Sequence, residues 1–188
     1  ASVGEPTPVS AIHEVARHKK RDLTVIQAGS SMEIEILIGT GCVKRFISSY
    51  VYRVRSGERA YDRGIKKYNI EVEDYTNYTV AAMLMAGAMG LTCFPAPMSL
   101  VASSIYTKRS FLGENKIKVI DDPFKPGQKL ALIPAFRPDV SVVHVQRMDK
   151  YGNAQMWGPL ANMKWGSLAA KKIIVSAEEI VEHDIVKR

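Results

Sequence analysis

Cysteine is scarce in this chain, and its spacing argues against two common kinds of site. Only Cys42 and Cys93 occur among 188 residues, and they do not form a CxxC pair. Two isolated cysteines do not make a disulfide framework, and no cluster of other ligand residues accompanies them to hold a metal. We therefore expect two reduced, buried thiols in a cytoplasmic protein without a metal site.

Long apolar runs are also missing. The most apolar stretch, residues 81–91, is far shorter than the roughly 20 residues that a membrane helix needs. The first eight residues lack the charged and then apolar pattern of a secretory signal, and the chain does not begin with methionine. We expect a soluble protein without a membrane segment, whose start is processed, trimmed or incomplete.

Acidic residues are fewer than basic ones, with 19 Asp and Glu against 26 Lys and Arg and a net charge of +7. A basic surface favours nucleic acid, but no nucleic-acid-binding motif is present, so we expect no such partner. The basic residues are spread over several segments, which is typical of a solvated surface. An anionic cosubstrate, an acidic partner chain, or a non-catalytic polyanion-binding module are the other interpretations.

Short apolar segments alternate with helical patterns along the chain. Hydrophobic residues make up 46% of it, which is enough to fill one core. The segments LTVIQA and IIVS are apolar on both faces, as in strands covered on both sides. The pattern predicts an α/β fold with three layers, an open and mostly parallel sheet carrying helices on both faces, in a single domain spanning residues 1–188.

Capping and turn residues indicate where the elements begin and end. Two acidic residues, Glu178 and Glu179, are interpreted as the first turn of a final helix. Residues 98–115 mix serine, glycine and charge and are expected to be mobile. The other predicted elements are a helix over 8–20, strands over 23–28 and 43–50, a helix from Met32 to Gly39, a brief strand over 70–72, a helix that starts at 75–77 and ends at Gly90, an extended segment over 93–97, a helix over 160–171 and a strand over 173–176.

Residues 120–158 are the segment richest in the turn-forming residues proline, glycine and aspartate. They place two apolar segments, 129–135 and 140–145, between turn signals, which predicts two core strands joined by tight turns. Asp121 and Asp122 precede a proline and are interpreted as turn formers. His144 stands between valines and is expected to be a hydrogen-bonded core histidine. The two tryptophans, Trp157 and Trp165, are expected to pack in the interior or at an interface between chains.

This tract resembles the class I CoA-transferases, specifically the A subunit of the glutaconate CoA-transferase type. The matching segments are IDDPFKPG and ALIPAFRPDVSVVHVQRMDKYGNAQMWG. Nearly the whole chain follows the family in order, from KKRDLTVIQAG and LIGTGCVKRFISSY to KKIIVSAEEIV. Family members begin earlier, with a strand and a Gly-Gly loop, and continue past residue 188, so this chain is expected to lack both parts.

The resemblance implies transfer of CoA between an acyl-CoA and a small carboxylate or dicarboxylate. In the family a glutamate attacks the thioester, and an acyl-glutamyl anhydride and a glutamyl-CoA thioester follow. That glutamate belongs to the B subunit, so no catalytic residue is expected in this chain. A CoA-transferase B subunit, in a heterotetramer, is the expected partner. Acyl-CoA enters as a substrate, and no permanent cofactor is expected.

Candidate substrate-binding residues follow the second predicted strand. Ser49, Tyr50, Arg53 and Ser56 come at its carboxyl end, where α/β sheets place ligands. Arg53 could pair with a substrate carboxylate through two hydrogen bonds, and Ser56 belongs to a Ser-Gly pair that lines the substrate site in some relatives. Tyr50 and the serines could equally be ordinary strand-end residues.

The start of the helix near residue 77 bears on an alternative reaction. Some family members are ring-opening CoA-thioester hydrolases that use a glutamate near the start of this helix. Here the matching residue is Asn77, which cannot act as a base and is included among the substrate-binding candidates. A shifted alignment would bring in Glu73, although Glu73 and Asp74 precede a helix and are interpreted as structural.

Overall fold

The computed structural model describes residues 7–30, 32–51, 59–103, 106, 110–158, 160 and 162–187. Helices and strands alternate through these residues, close to the positions that the sequence predicts for the first half. The elements are α1 (Val9–Arg17), β1 (Leu23–Ser30), α2 (Met32–Gly39), β2 (Val43–Val51), α3 (Ala60–Lys67), β3 (Glu71–Asp74), α4 (Asn77–Ala88), β4 (Cys93–Pro97), β5 (Lys118–Asp121), β6 (Lys129–Pro134), β7 (Val140–Met148), β8 (Ala154–Gln155), α5 (Met163–Ala169), β9 (Lys172–Ile180) and α6 (His183–Val186).

The first sheet is parallel, with the strands in the order β1, β2, β3. Successive side chains of a strand point to opposite faces, and on β2 both Phe46 and Ile47 are buried. Phe46 packs in a cluster with Ile12 of α1 and Ile34 of α2. Ile47 packs in a second cluster with Val80 of α4. Helices therefore cover both faces of this sheet, and the prediction of a layered α/β fold is confirmed.

The remaining strands form two more three-stranded sheets. One is antiparallel, with the order β4, β6, β5, and the other has the order β8, β7, β9, with β7 parallel to β9 and antiparallel to β8. The expected single open sheet is thus divided into three within the described residues. The division falls after β6, where the backbone N–H of Phe136 bonds to the carbonyl of Met83 at 3.0 Å. This bond holds the segment between β6 and β7 against α4, and the two strands lie in different sheets.

The end of the chain differs from its prediction. Glu178 and Glu179 do not open a helix, because they lie inside β9, and α6 begins only at His183. β9 pairs with β7 from Val140 opposite Lys172 to Met148 opposite Ile180. The long ladder of hydrogen bonds between β7 and β9 outweighs the local preference of the two glutamates for the first turn of a helix. Tertiary context commonly overrides local preference in strands.

The tight turn between β7 and β8 is built around Asp149, which is buried. Its Oδ1 atom accepts hydrogen bonds from the backbone N–H groups of Tyr151 and Asn153, both at 2.9 Å. Its Oδ2 atom contacts the amide of Asn153 at 2.8 Å and Nδ1 of His183 at 2.6 Å. Gly152 takes the positive φ of 90° that closes the turn. This part of the tract is therefore structural and also ties α6 to the hairpin.

Removing the charge at this turn should change stability in a pH-dependent way. Burial opposes ionisation, but hydrogen bonds from His183, Asn153 and Tyr151 outweigh it and hold the pKa of Asp149 below its ordinary value. A depressed folded-state pKa stabilises the fold above the unfolded pKa of about 4, and this stabilisation is lost as the pH falls through the folded value. Asp149→Asn should therefore lower the unfolding temperature most at pH 7, and progressively less below about pH 4.

Thermal unfolding between about pH 2.5 and pH 7, read by circular dichroism, measures this difference. Asp139→Asn is the control, because Asp139 is an exposed carboxylate paired with Lys171 at 2.7 Å, and exposed pairs contribute little. A difference between Asp149→Asn and the unsubstituted chain that stays constant over the whole pH range contradicts the expectation.

Both cysteines are free thiols, with Cys42 buried and Cys93 partly buried. No helix in the described ranges combines the length and the apolar character needed to cross a bilayer. The same ranges contain no group of three or more His, Cys, Asp or Glu side chains arranged to hold a metal ion.

Candidate functional site

The carboxyl ends of the parallel strands meet the amino end of α4. Helix α4 begins after Thr76, whose side-chain oxygen accepts the N–H of Thr79 at 3.1 Å and caps the helix. Just before it, the N–H of Tyr75 bonds to the carbonyl of Ser48 on β2 at 2.8 Å. These two bonds fix the first residue of α4 relative to the end of β2. Parallel α/β sheets usually bind ligands at this edge.

Ser49 and Asn77 are in contact at this edge. The Ser49 hydroxyl lies against the carbonyl oxygen of Ala28 and the side-chain oxygen of Asn77. The hydroxyl has one proton for these two contacts, and the Asn77 amide carries both an oxygen acceptor and an NH₂ donor. Asn77 is exposed, so the pair presents an amide that can form a hydrogen bond with a polar group of a ligand.

Three large side chains at the carboxyl end of the first sheet are exposed. Tyr50 and Tyr78, the residues that follow Ser49 and Asn77, are 50% and 49% exposed, and Met32 at the start of α2 is 60% exposed. The ring of Tyr78 is held edge-on against Phe94, with centroids 6.3 Å apart. Successive side chains of a strand point to opposite faces, so Tyr50 and Ser49 lie on different faces of β2.

The structure thus brings together two of the five residues that the sequence analysis proposed for substrate binding, because Ser49 and Asn77 contact each other. Tyr50 follows Ser49 on β2 and is exposed. Arg53 and Ser56 lie outside the described residues, so their expected role stays a prediction.

A polar row beneath this edge was not anticipated from the sequence. Gln27, Ser48 and Asp74 stand opposite one another on β1, β2 and β3. Gln27 donates a hydrogen bond from Nε2 to the carboxylate of Glu33, a buried residue in the first turn of α2. The only signal of this row in the sequence is a glutamine within a mostly apolar strand. Within this row, Gln27 keeps the Glu33 carboxylate hydrogen-bonded.

Glu73 forms a buried ion pair with Lys116, with 2.6 Å between Oε1 and Nζ and exposures of 0% and 2%. Its other oxygen accepts hydrogen bonds at 3.0 Å from the Ser110 hydroxyl and from the N–H of Phe111. The Lys116 ammonium lies 4.9 Å from the centre of the Tyr75 ring. The described part of residues 98–115, which was expected to be mobile, is therefore anchored to the core here. Glu73 is engaged in holding that segment.

Two tyrosines complete this buried network. Burial raises the pKa of the Tyr75 hydroxyl, and the nearby Glu73 and Tyr106 raise it further. The hydroxyl of Tyr75 donates to the carbonyl of Lys116 at 3.4 Å, and the hydroxyl of Tyr106 meets that of Thr79 at 2.8 Å. Tyr75 therefore stays protonated and supports the segment without acting as a base.

A second polar group lies between β7 and β9. His144 is half-buried, with Nδ1 at 2.8 Å from the Ser176 hydroxyl and Nε2 at 3.7 Å from Glu178. Arg147 pairs with Glu179 at 2.9 Å and lies 5.5 Å from the Trp157 ring, beside a shallow depression of about 260 Å³. The polar side chains of this group are hydrogen-bonded or paired with one another. The group lies on the third sheet and not at the carboxyl edge of the first. His144 is hydrogen-bonded, as the sequence predicted, but it is partly exposed and does not lie in the core.

The sequence matches known proteins over almost its whole length. The family model described as Coenzyme A transferase matches residues 2–186. The chain is 33% identical over 183 residues to the A subunit of the 3-oxoadipate CoA-transferase of Pseudomonas knackmussii, covering 93% of this chain and 61% of that protein. It is 28% identical over 194 residues to the A subunit of the glutaconate CoA-transferase of Acidaminococcus fermentans, covering 96% and 60%.

Solved structures agree with the fold. The crystal structure of glutaconate coenzyme A-transferase from Acidaminococcus fermentans superimposes with a TM-score of 0.85 at 27% identity, over 100% of this chain and 63% of that one. The C56S variant of the decarboxylase AibA/AibB superimposes with a TM-score of 0.82 at 26% identity, over 96% and 67%. The chain spans about 61% of the length of the Pseudomonas relative and 60% of that of the Acidaminococcus relative.

Proposed function

Because the chain belongs to the coenzyme A transferase family, whose model matches residues 2–186, we propose that it is the A subunit of a two-subunit CoA-transferase. The family match carries this proposal, and the relatives named as A subunits support it. The proposed partner is a B subunit, in a heterotetramer, and the proposed location is the cytoplasm, where free thiols stay reduced. Acyl-CoA and a small carboxylate or dicarboxylate are the substrates.

In the proposed mechanism a glutamate of the B subunit supplies the reactive group. Its carboxylate attacks the acyl-CoA carbonyl and expels the CoA thiolate, which leaves an acyl-glutamyl anhydride. The thiolate then attacks the glutamyl carbonyl and releases the free acid, which gives a glutamyl-CoA thioester. The acceptor acid reverses these steps and leaves with CoA. This chain would contribute the Asn77 amide, held by Ser49, as a donor to a substrate oxygen.

The state of the nearby acidic residues supports a nucleophile that comes from outside. Asn77 occupies the position that matches the hydrolase glutamate, and an amide is not a base. Glu73 is fully buried in its ion pair with Lys116, and Glu33 is buried and hydrogen-bonded to Gln27. Ring-opening hydrolysis, the alternative within the family, therefore finds less support than CoA transfer. The other alternative, a non-catalytic polyanion-binding module, is not supported by any binding motif in the sequence.

A fold alone does not determine a reaction, and a similar structure carries the name decarboxylase. The deciding assay measures CoA exchange between an acyl-CoA and a labelled free carboxylate, with this chain purified alone and together with a B-type chain. Exchange that needs both chains supports the proposal. Thioester turnover by this chain alone that is lost in Asp74→Asn or another acidic variant would refute it.

Removing the Asn77 amide should weaken substrate recognition in the two-subunit enzyme. Asn77→Ala is expected to lower kcat/KM for CoA exchange by roughly tenfold, the usual cost of one lost hydrogen bond to a substrate oxygen. Gln128→Ala is the control, because it removes an exposed amide in the turn between β5 and β6 and should leave kcat/KM unchanged. Equal rates for Asn77→Ala and Gln128→Ala exclude Asn77 from the site.

A further inference from the structure

Three hydroxyl groups, those of Tyr106, Thr79 and Thr76, form a continuous network that ends beside the candidate site. The Tyr106 hydroxyl lies 2.8 Å from Oγ1 of Thr79, which lies 2.7 Å from Oγ1 of Thr76. Thr79 is fully buried, and Thr76 is the residue that caps α4. Asn77 follows Thr76 and is the first residue of the helix. This hydroxyl network therefore reaches from the segment before β5 to the neighbour of a candidate substrate-binding residue.

The Tyr106 end of the hydroxyl network is held by the buried ion pair. The ring of Tyr106 packs edge-on against the ring of Tyr75, with centroids 6.3 Å apart. The Lys116 ammonium lies 5.6 Å from the centre of the Tyr106 ring and pairs with Glu73 in β3. Contacts from this one segment thus reach both the strand before Asn77 and the first turn after it.

The side chain of Thr79 has a choice of hydrogen-bond partners. Oγ1 of Thr76 accepts the backbone N–H of Thr79 at 3.1 Å, and the Thr79 hydroxyl contacts the same oxygen. A threonine inside a helix has two favoured rotamers, because its hydroxyl can also bond to a backbone carbonyl three or four residues earlier. The contact with the Tyr106 hydroxyl stabilises the observed rotamer, in which Thr79 also reaches Thr76.

We propose that Tyr106 is a positioning residue for Asn77 and acts through the two threonines, an inference that rests on the function proposed above for Asn77. Without the Tyr106 hydroxyl, the Thr79 side chain can turn to a carbonyl of its own helix. The cap at Thr76 then loses one of its two contacts with Thr79, and the residue that follows the cap is held less firmly. Small displacements of a binding group are costly, because a reaction needs its groups within a narrow range of positions.

Two conservative substitutions interrupt the hydroxyl network with little change in shape. Tyr106→Phe removes only the phenolic oxygen, and Thr79→Val replaces the hydroxyl with a methyl group. In the two-subunit enzyme each should lower kcat/KM for CoA exchange by roughly threefold to tenfold, as for one lost hydrogen bond. The double variant should be close to either single variant, because both interrupt the same network. Thr79→Ser keeps the hydroxyl and should retain kcat/KM.

A second comparison separates positioning from a general structural defect. With Asn77→Ala already present, Tyr106→Phe should change kcat/KM by less than about twofold, because the group that it positions is gone. A general defect would lower kcat/KM by the same factor with or without Asn77. Tyr68→Phe is the matched control and should leave kcat/KM unchanged. The Tyr68 ring lies next to Gly41, just before β2 begins, and so at the opposite edge of the sheet.

Hydrogen exchange tests the positioning without an assay of activity. The Thr79 amide is bonded to the cap, so its exchange in the purified protein, followed by NMR, should be roughly threefold or more faster in Tyr106→Phe. Tyr68→Phe should leave this exchange unchanged.

An unchanged exchange rate of the Thr79 amide in Tyr106→Phe overturns the proposal. A normal kcat/KM in Tyr106→Phe, while Asn77→Ala is slow, also overturns it, as does an equal loss with and without Asn77. Faster exchange in an enzyme whose kcat/KM does not depend on Asn77 supports the positioning of the start of α4 and counts against the proposed function alone.

Discussion

Lys116→Ala is expected to lower the free energy of unfolding by about 3–5 kcal/mol, because it leaves a buried carboxylate without its counter-ion. Glu73 and Lys116 are 0% and 2% exposed, so water cannot replace the missing ammonium without opening the core. The Ser110 hydroxyl and the Phe111 amide would still donate to the Glu73 carboxylate, but neither carries a full positive charge. Urea denaturation followed by circular dichroism measures the loss.

An exposed ion pair provides the matched control. Lys129→Ala removes a pair with Asp121 at 2.9 Å whose side chains are 59% and 87% exposed, and it should cost less than about 1 kcal/mol. The double variant Glu73→Met with Lys116→Met removes both buried charges and should be less destabilised than Lys116→Ala alone. If Lys116→Ala costs no more than Lys129→Ala, the ion pair does not hold residues 110–116 as described.

Gly87→Ala is expected to destabilise the protein by about 2 kcal/mol, although alanine is the better helix former by up to about 1 kcal/mol. Gly87 lies in α4, where the chain crosses from β6 to β7. An added Cβ atom would stand 2.1 Å from the carbonyl oxygen and 3.0 Å from the carbonyl carbon of Phe136. That backbone is tied to α4 by the bond from the Phe136 N–H to the Met83 carbonyl, so it cannot move aside freely.

A second helical glycine gives the opposite expectation. Gly166 lies in α5, and the atoms nearest to an added Cβ are Cδ1 of Leu84 at 3.9 Å and Oγ of Ser141 at 4.0 Å. These are ordinary contacts, so Gly166→Ala should stabilise the protein by up to about 1 kcal/mol. Thermal unfolding of both variants measures the contrast. A Gly87→Ala variant that is as stable as the unsubstituted chain, or more stable, would show that α4 does not pack closely on Phe136.

Local signals in the sequence predicted the elements around the site well. Thr76 is the cap of α4, and glycine ends α2 where the pattern predicted it. Ser49 was proposed from the end of a strand and Asn77 from the resemblance to the hydrolases of the family, and the structure brings the two side chains into contact. The contact follows from the regular geometry of parallel α/β units, in which both positions face the same edge, and a role in substrate binding stays a prediction.

Features that depend on distant residues could not be predicted in this way. Glu73 and Lys116 are far apart in the chain, and nothing in either local sequence indicates a buried ion pair. Glu178 and Glu179 have the composition of a helix start, but β7 supplies a pairing partner that keeps them in a strand. The division into three sheets likewise depends on which strands meet. That is decided by contacts such as the one that ties the end of β6 to α4, not by alternation within a strand.

The placement of Phe46 and Ile47 on β2 has a consequence for how the first half of the molecule comes apart. One strand seals both apolar clusters, so its withdrawal lets water into both at the same moment. Unfolding of β2 therefore couples the helices on its two faces, α1 and α2 on one side and α4 on the other.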